Sequence, residues 1–303
     1  MSAHIQNDSP NDGRNGLFAG LAAYTFWGLF PIYFILTKSI PALELLGYRI
    51  LWSVPFCFLI IAARKQLPDI IKIIKNVKIM ALLTLAAVAI ALNWGVYIWA
   101  VQHEQIFQAS LGYYINPLIY VIVGVVFFKE TLSLHQTIAI TLACIGVLIL
   151  TIYGGEFPAI SLILAISFTI YGIIKRIASV RAMTGLFIET TILFVPTIIY
   201  MTYLFNNASM QFTQQGLEMD VLILLSGPFT VLPLLAFSFA ARRIKLSTLG
   251  VLQFIGPSLQ FVCAYIYGET LTLAHILCFT FIWTGVFIFC WDAIQKSRKA
   301  QTV

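Results

Sequence analysis

Ten apolar runs, each about 20 residues long and therefore able to cross a lipid bilayer as a helix, fill almost the whole chain. The connecting segments are short and leave no room for a soluble catalytic domain. The sequence therefore predicts an all-α integral membrane protein with ten transmembrane helices. The predicted spans cover about 17 to 36, 43 to 62, 79 to 101, 108 to 128, 134 to 152, 158 to 174, 183 to 205, 219 to 239, 246 to 267 and 273 to 291.

Composition agrees with a chain whose solvent is lipid. Of the 303 residues, 60% are hydrophobic and only 10% are charged, and the mean hydropathy is +0.93. Soluble domains carry about a quarter charged residues. The first sixteen residues are polar and precede a run of full spanning length, so we expect a tail there rather than a cleaved signal peptide.

The basic residues predict the orientation of the chain, because Lys and Arg concentrate on the cytoplasmic side of membrane proteins. Ten spans place sixteen of the 18 Lys and Arg on the side that holds both termini. Only Lys38 falls on the other side, and Arg49 lies within a span. We therefore expect both termini in the cytoplasm. The segment from Pro68 to Lys78 alternates Ile and Lys and is expected to lie along the inner interface.

Two halves of the chain share sequence. Residues 130–134, ETLSL, match residues 269–273, ETLTL, and the match continues from IGVLIL at Ile145 to TGVFIF at Thr284. A looser likeness relates LAAYTFWG at Leu21 to LAISFTIYG at Leu164. These matches pair span 1 with span 6, span 4 with span 9 and span 5 with span 10.

Each repeat contains five spans. Because five is an odd number, the second repeat enters the membrane from the side opposite to the first. Inverted-topology repeats of this kind are typical of secondary transporters. The predicted divisions are a cytoplasmic N-terminal tail at 1–16, a first five-helix repeat at 17–152, a second at 153–292 and a basic cytoplasmic C-terminal tail at 293–303.

With these features the chain resembles the RarD-type branch of the EamA transporters, in the drug/metabolite transporter superfamily. The resemblance rests on GYRILWS from Gly47, NWGVYIWAV from Asn93, ASLGYYINPL from Ala109, FTIYGIIKR from Phe168 and the two Glu-Thr-Leu starts. It implies a permease of a bacterial-type inner membrane that is often described as drug-related, and it identifies no cargo.

A substrate site is expected near the bilayer midplane, where helices are interrupted. Proline within a span removes a backbone hydrogen bond, so Pro117 and Pro257 are the candidate hinges of matching spans. Polar and aromatic residues on helix faces then form the candidate site. Its predicted members are Trp27, Asn93, Trp94, Tyr97, Tyr113, Asn116, Tyr171 and Gln253. The alternative is that the aromatics form interfacial belts and that the amides bond between helices.

Charged groups inside spans are costly and are functional candidates by default. Arg49 lies in span 2, with Glu44 as its near candidate partner, and Glu189 lies comparably deep in span 7. Snorkelling or structural pairing is the alternative for both. Lys175 and Arg176 are interpreted as topology anchors.

Two further carboxylates, Glu130 and Glu269, each precede a helix. They are interpreted as helix caps, since a carboxylate is favoured at the positive end of a helix dipole.

Other chemistry lacks its motifs. The chain has no phosphate-binding loop, its four His are dispersed, and the basic residues flank spans rather than forming a nucleic-acid surface. We expect no catalytic residues, metal, cofactor or nucleic acid. The partners expected are a small-molecule substrate, the lipid bilayer and a proton or other coupling ion. The function predicted is a secondary membrane carrier that exports small organic metabolites or drugs by alternating access. The alternatives are facilitated import or exchange of a metabolite and a lipid-handling membrane enzyme.

Overall fold

The structure is a computed structural model that describes residues 10–129, 132–178, 180–241, 243–244 and 246–299. Within these residues the chain forms thirteen α-helices and no β-strand. The helices are α1 (Pro10–Gly28), α2 (Phe30–Leu36), α3 (Ala42–Ala63), α4 (Leu67–Ile74), α5 (Val77–Gln102), α6 (Ile106–Phe128), α7 (Leu134–Ile152), α8 (Ala159–Ala178), α9 (Ala182–Asn206), α10 (Leu217–Ala240), α11 (Leu246–Leu252), α12 (Ile255–Ile266) and α13 (Leu273–Lys299).

Every predicted span overlaps at least one of these helices. The first span divides into α1 and α2, and the ninth into α11 and α12. Among the described residues, seven stretches are long and apolar enough to cross a membrane. They are Gly13–Leu36, Ala42–Ala63, Val77–Gln102, Leu134–Ile152, Ala182–Asn206, Leu217–Ala240 and Leu273–Asp292. Two shorter apolar stretches, Ala159–Lys175 and Ile255–Ile266, accompany them, and the count of ten spans stays a prediction.

The segment predicted to lie along the inner interface divides between two helices. Its first part is α4, in which Ile70 is buried while Ile71 and Ile74 are exposed. The next helix starts at Val77, after the Asn76 side chain accepts a hydrogen bond of 3.2 Å from the Ile79 amide. The basic stretch is therefore a short amphipathic helix of 8 residues followed by the first turn of α5.

Several helices end on a residue with left-handed backbone. Such residues stand at Lys65 after α3, Glu104 after α5, Ala208 after α9 and Gly268 after α12. In each case a later amide bonds back to a carbonyl of the last turn, as Gln105 does to Ala100 at 2.9 Å. This closure satisfies carbonyl groups that a helix end leaves unpaired.

The helices form two compact units, and each unit draws on both predicted repeats. The first unit contains the described residues up to Phe30, Ile106–Leu162 and those from Leu235 onward. The second contains Pro31–Gln105 and Ile163–Leu234. Sequence repeats and compact units are thus different divisions of the chain, since a repeat is a likeness of segments and a unit is a set of contacts.

Within the first unit, the backbones of α7 and α13 approach each other closely at two glycines. A Cβ added at Gly146 would lie 2.8 Å from the Cys278 carbonyl oxygen, and one added at Gly285 would lie 2.9 Å from the Ala139 carbonyl oxygen. Both glycines therefore let two backbones approach, as small residues do at helix interfaces in membranes. As the residue number increases along α7, the number of the residue that it contacts on α13 decreases, so these two helices run antiparallel.

Two other helix pairs show the same antiparallel order. In the first unit, Phe107 of α6 contacts Phe261 of α12, and Tyr114 lies against Phe254, with centroid distances of 5.0 and 6.2 Å. In the second unit, a Cβ at Gly47 of α3 would fall on the Met201 side chain of α9. Farther along the same two helices, the Phe58 and Phe187 rings lie 6.2 Å apart.

The connection between α9 and α10 is held by two buried side chains of α3. Glu44 Oε1 accepts hydrogen bonds from the Tyr48 hydroxyl at 2.7 Å and from the Gln211 amide at 2.6 Å. The Tyr48 oxygen in turn accepts a bond of 3.2 Å from the Phe212 amide. This arrangement fixes the backbone of the connection to the start of α3.

Replacing Gly146 or Gly285 with alanine should destabilise the protein, because the added methyl group would meet a carbonyl oxygen of the facing helix. Overpacking of this kind costs about 1–3 kcal/mol. We expect a lower midpoint of thermal unfolding in detergent, measured by fluorescence-detected size exclusion. Gly13→Ala is the matched control, since a Cβ there meets nothing within 4 Å. Equal midpoints for all three variants would contradict the assigned close approach.

The Tyr48→Phe variant should loosen the connection between α9 and α10. Loss of the hydroxyl removes a donor to the buried Glu44 carboxylate and an acceptor for the Phe212 amide, and unpaired buried groups cost about 1–3 kcal/mol each. Hydrogen exchange at Gln211 and Phe212 should become faster. Tyr203→Phe serves as control because that side chain is 62% exposed. Unchanged exchange in Tyr48→Phe would show that other contacts hold the connection.

Candidate functional site

Arg49 lies buried on α3 in the second unit. Its Nε donates a hydrogen bond of 2.9 Å to Thr230 Oγ1, and that hydroxyl donates onward to the Ser226 carbonyl at 2.8 Å. The guanidinium carbon lies 4.6 Å from the ring centroid of Trp94 and 5.6 Å from that of Phe34. A cation held against aromatic faces in this way gains cation–π stabilisation, most strongly over Trp.

Aromatic rings extend this surface. Tyr97 meets the edge of Phe34 at a centroid distance of 5.7 Å, and Tyr33 meets Phe229 at 5.3 Å. The Tyr33 hydroxyl donates to the Leu222 carbonyl at 3.0 Å, which fixes α2 to α10. Arg49, Trp94 and Tyr97, three of the predicted site residues, therefore share one polar-aromatic cluster. We call Arg49, Thr230, Trp94, Phe34 and Tyr97 the arginine cluster.

Glu44 does not take the position of ion-pair partner that the sequence suggested for Arg49. Its Oε1 is occupied by the Tyr48 hydroxyl and the Gln211 amide. Its Oε2 is buried and accepts no hydrogen bond from the described residues. The physical reason is the position of Glu44 beside the α9–α10 connection, where the Gln211 amide donates a hydrogen bond to its carboxylate.

Asn93 binds another helix. Its Nδ2 donates to the Leu164 carbonyl at 2.9 Å and to Ser167 Oγ at 3.0 Å, both on α8. This is the interhelical bonding that the sequence left open as the alternative for amides. Asn93 is 1% exposed, and its contacts position Trp94 beside Arg49.

Glu189 and Tyr171 meet in the second unit together with Lys175. Lys175 Nζ lies 2.6 Å from Glu189 Oε1, and the Tyr171 hydroxyl donates to Oε2 at 3.2 Å. Lys175, which the sequence suggested as a topology anchor, thus pairs through its ammonium group with a buried carboxylate. The side chain of Arg176 lies outside the described residues.

Trp27 belongs to an aromatic group of the first unit. Its ring lies 5.5 Å from Tyr24 and 5.9 Å from Phe237 between centroids. Its carbonyl accepts a hydrogen bond of 3.3 Å from Gln260 on α12. The group joins α1 to the C-terminal part of α10 and to the middle of α12 within that unit.

Five predicted residues of the matched spans 4 and 9 also lie in the first unit. Tyr113 is half-buried and Asn116 is buried on α6, which continues without a break through Pro117. Gln253 lies in the turn between α11 and α12, just before Pro257. The matching prolines thus differ locally, because only the ninth span is interrupted near its proline.

The helix contact beside these residues uses side chains that sequence reasoning missed. Ser110 Oγ donates to the Pro257 carbonyl at 2.8 Å, and the Tyr114 hydroxyl lies 2.6 Å from Ser258 Oγ. Together with Phe107, these residues follow the spacing of one helix face. That spacing was available in the sequence and would have indicated the face of α6 that packs on α12.

Glu269 caps a helix, although not the one that it precedes. Its carboxylate accepts hydrogen bonds from the amides of Ile106 and Phe107, the second at 2.8 Å, at the start of α6. The start of α13 is instead capped by Thr272, whose hydroxyl accepts from the His275 amide at 3.3 Å. Glu130, given the same interpretation, lies outside the described residues.

Comparisons with known proteins agree with this architecture. Residues 14–152 match the model of the EamA-like transporter family. The chain is 39% identical over 287 residues to "Protein RarD" of Salmonella typhi, covering 94% of this chain and 98% of that protein. It is 37% identical to "Protein RarD" of Escherichia coli strain K12, covering 94% and 97%.

More distant relatives extend the likeness. "Chloramphenicol-sensitive protein RarD" of Pseudomonas aeruginosa is 28% identical, covering 94% of this chain and 96% of that protein. A solved crystal structure superposes with a TM-score of 0.54 at 13% identity, covering 91% of this chain and 96% of that chain. The structural match supports the fold alone.

Seven apolar stretches of membrane-spanning length among the described residues, together with relatives named as transporters, make this chain a multi-pass bacterial membrane protein and a membrane transporter of the drug/metabolite type. It belongs to the EamA transporter family, in the RarD-type branch.

Proposed function

We propose that this protein is a secondary carrier that moves small organic solutes across the bacterial inner membrane by alternating access. The cargo proposed has a planar apolar part and an anionic group. The observation that carries this proposal is the buried guanidinium of Arg49 on Thr230 and against Trp94. A guanidinium presents a fork of N–H donors that suits carboxylate-like groups, while aromatic walls suit planar apolar surface.

The packing of repeat-related helices supports an inverted arrangement of two five-helix repeats. Ala139 and Cys278 are 139 positions apart, as are Gly146 and Gly285. The contact of Gly146 with Cys278 is therefore equivalent to that of Gly285 with Ala139. Such exchange of equivalent contacts is what a two-fold relation produces. An antiparallel pair places its axis in the membrane plane, as inverted repeats require.

Export is the working direction that we propose, following the character of the family, with facilitated import or exchange as the alternative. The residues proposed to shape the substrate path remain those indicated by the sequence, with two adjustments. Arg49, Trp94 and Tyr97 bind the solute in the arginine cluster, while Asn93 positions this cluster through α8. Trp27, Tyr113, Asn116, Tyr171 and Gln253 are proposed to line the path, and Pro117 and Pro257 to act as hinges.

The Arg49→Gln variant tests the proposed anion site. Removal of the charge from the cluster should lower transport by at least about tenfold, since a charge-assisted bond contributes about 1.5–3 kcal/mol. Cells with and without the gene would first be compared by metabolite profiling of medium and cytoplasm. The compounds that differ, together with chloramphenicol and benzenesulfonate, would then be followed by counterflow in proteoliposomes.

Lys38→Gln is the matched control for this measurement. Lys38 is also basic, but its side chain is 50% exposed and bonds Glu104 at 2.9 Å outside the cluster. That contact lowers the pKa of the Glu104 carboxyl through the hydrogen bond first and the Lys38 charge second. Equal counterflow by the wild type and Arg49→Gln would show that Arg49 does not bind the solute. Lipid turnover without solute movement would favour the lipid-handling alternative.

Reporter fusions test the proposed orientation. Fusions after Ile74 and at the C terminus should report the cytoplasm, whereas a fusion after Lys38 should report the periplasm, because the basic residues concentrate on one side. Alkaline phosphatase and green fluorescent protein give opposite signals on the two sides. Termini on different sides of the membrane would contradict inverted five-helix repeats.

A further inference from the structure

Two buried charges of opposite sign occupy the same place in the two predicted repeats. The helix α3 begins at Ala42 and α9 begins at Ala182, after residues with nearly the same backbone, φ −54° and ψ 138° against φ −57° and ψ 139°. At this offset of 140, Arg49 falls on Glu189. The antiparallel order of α3 and α9 then places the two charges toward opposite faces of the membrane.

The surroundings of Glu189 form a compact ionic group. Its side chain is 0% exposed, Lys175 Nζ lies 2.6 Å from Oε1, and the Tyr171 hydroxyl donates to Oε2 at 3.2 Å. Lys175 Nζ also lies 5.6 Å from the Tyr171 ring centroid. A Cβ at Gly185 would fall on Lys175 Nζ, so a residue without a side chain leaves space for the ammonium group.

The two partners differ in accessibility. The Lys175 side chain is 18% exposed, whereas that of Glu189 is fully buried. A charged solute that approaches the pair therefore reaches the lysine first, and a solute that binds a lysine is an anion. The cation of the arginine cluster in the same unit has the same preference.

The helices packed around Glu189 carry further titratable groups. Because Phe58 of α3 meets Phe187 of α9, the α3 group at this level is the Cys57 thiol. Asp69 of α4 pairs with Arg181 at 2.9 Å. The remaining titratable groups on these elements are Glu44, Tyr48 and Arg49 on α3, Lys72 on α4, Lys78 and Tyr97 on α5, Arg176 on α8 and Tyr200 and Tyr203 on α9.

We propose that Lys175 and Glu189 form a second anion station that couples solute to proton movement, which rests on the proposed carrier function. The solute anion takes the place of Glu189 on the Lys175 ammonium group, and Glu189 takes up one proton from the aqueous side. The ion pair has no net charge before this step. Afterwards the lysine–anion pair and the neutral carboxylic acid again carry none, so charge balances.

The coupling follows from the cost of buried charge. A carboxylate that loses its partner in a site without water is strongly disfavoured, and the group becomes neutral by binding a proton. Tyr171 remains beside the pair, with its hydroxyl on Glu189 and its ring near Lys175, and stabilises both separated groups. Solute and proton then move in the same direction without net charge movement, so export requires an outward gradient of the anion that exceeds any inward gradient of protons.

Infrared spectroscopy of the full-length protein tests the first half of this proposal without a solute. In Lys175→Gln, the carbonyl band of a protonated carboxyl group should appear at neutral pH and disappear in Lys175→Gln/Glu189→Gln. Lys175→Arg, which keeps the charge, should lack the band. Absence of the band in Lys175→Gln would overturn the proposal. If that variant does not fold, addition of benzenesulfonate to the wild type should produce the band, and Glu189→Gln should not show it.

Proteoliposomes loaded with the pH dye pyranine test the second half. An inward gradient of benzenesulfonate, an anion that does not take up protons at neutral pH, should acidify the lumen of wild-type vesicles. In Glu189→Gln, the flux of anion should proceed without acidification and depend on membrane potential. Phenyltrimethylammonium is the matched probe of opposite charge, and its exchange against protons would overturn the proposal.

These outcomes distinguish a failure of the proposed coupling from a failure of the proposed cargo. Anion flux without lumen acidification in the wild type would contradict the coupling and leave the carrier function in place. No flux of benzenesulfonate in the wild type would contradict the anionic cargo itself.

Discussion

A buried polar group in a membrane has no water to bind, and this constraint organises the described residues. A peptide or side-chain group left unpaired in hydrocarbon costs several kcal/mol. The chain meets the constraint by helices and by cross-helix bonds such as that of Asn93 to α8. Ionised groups meet it in the same way, since Glu189 is bound by Lys175 and Tyr171. The polar residues that a carrier requires are therefore also those that hold its helices together.

Close packing between repeat-related helices is the second element of the architecture. Glycines at equivalent positions of α7 and α13 each meet a backbone carbonyl of the other helix. The pairs α6 with α12 and α3 with α9 have the same antiparallel order. Compact units consequently combine helices from both halves of the chain. The closest packing within each unit thus joins a helix of the first half of the chain to one of the second half.

The buried charges of α3 and α9 differ in sign and in the groups that bind them. Arg49 is held by Thr230 and aromatic rings, while the equivalent Glu189 is held by a lysine. The same position of the helix therefore provides a cation in one predicted repeat and an anion–cation pair in the other. In the carrier that we propose, a solute meets different chemistry from the two sides of the membrane.

The sequence by itself determined the helical membrane class and most helix positions, because length and hydropathy decide which segments suit lipid, and its motifs indicated the family. It also placed Arg49, Trp94 and Tyr97 on faces that the structure brings together. The partners of the charges were decided only by tertiary structure: Glu44 binds the α9–α10 connection, Lys175 pairs with Glu189, and Glu269 caps a helix 163 positions away. Such partners are distant in sequence, and helical periodicity reports the face of a residue but not the helix that this face meets.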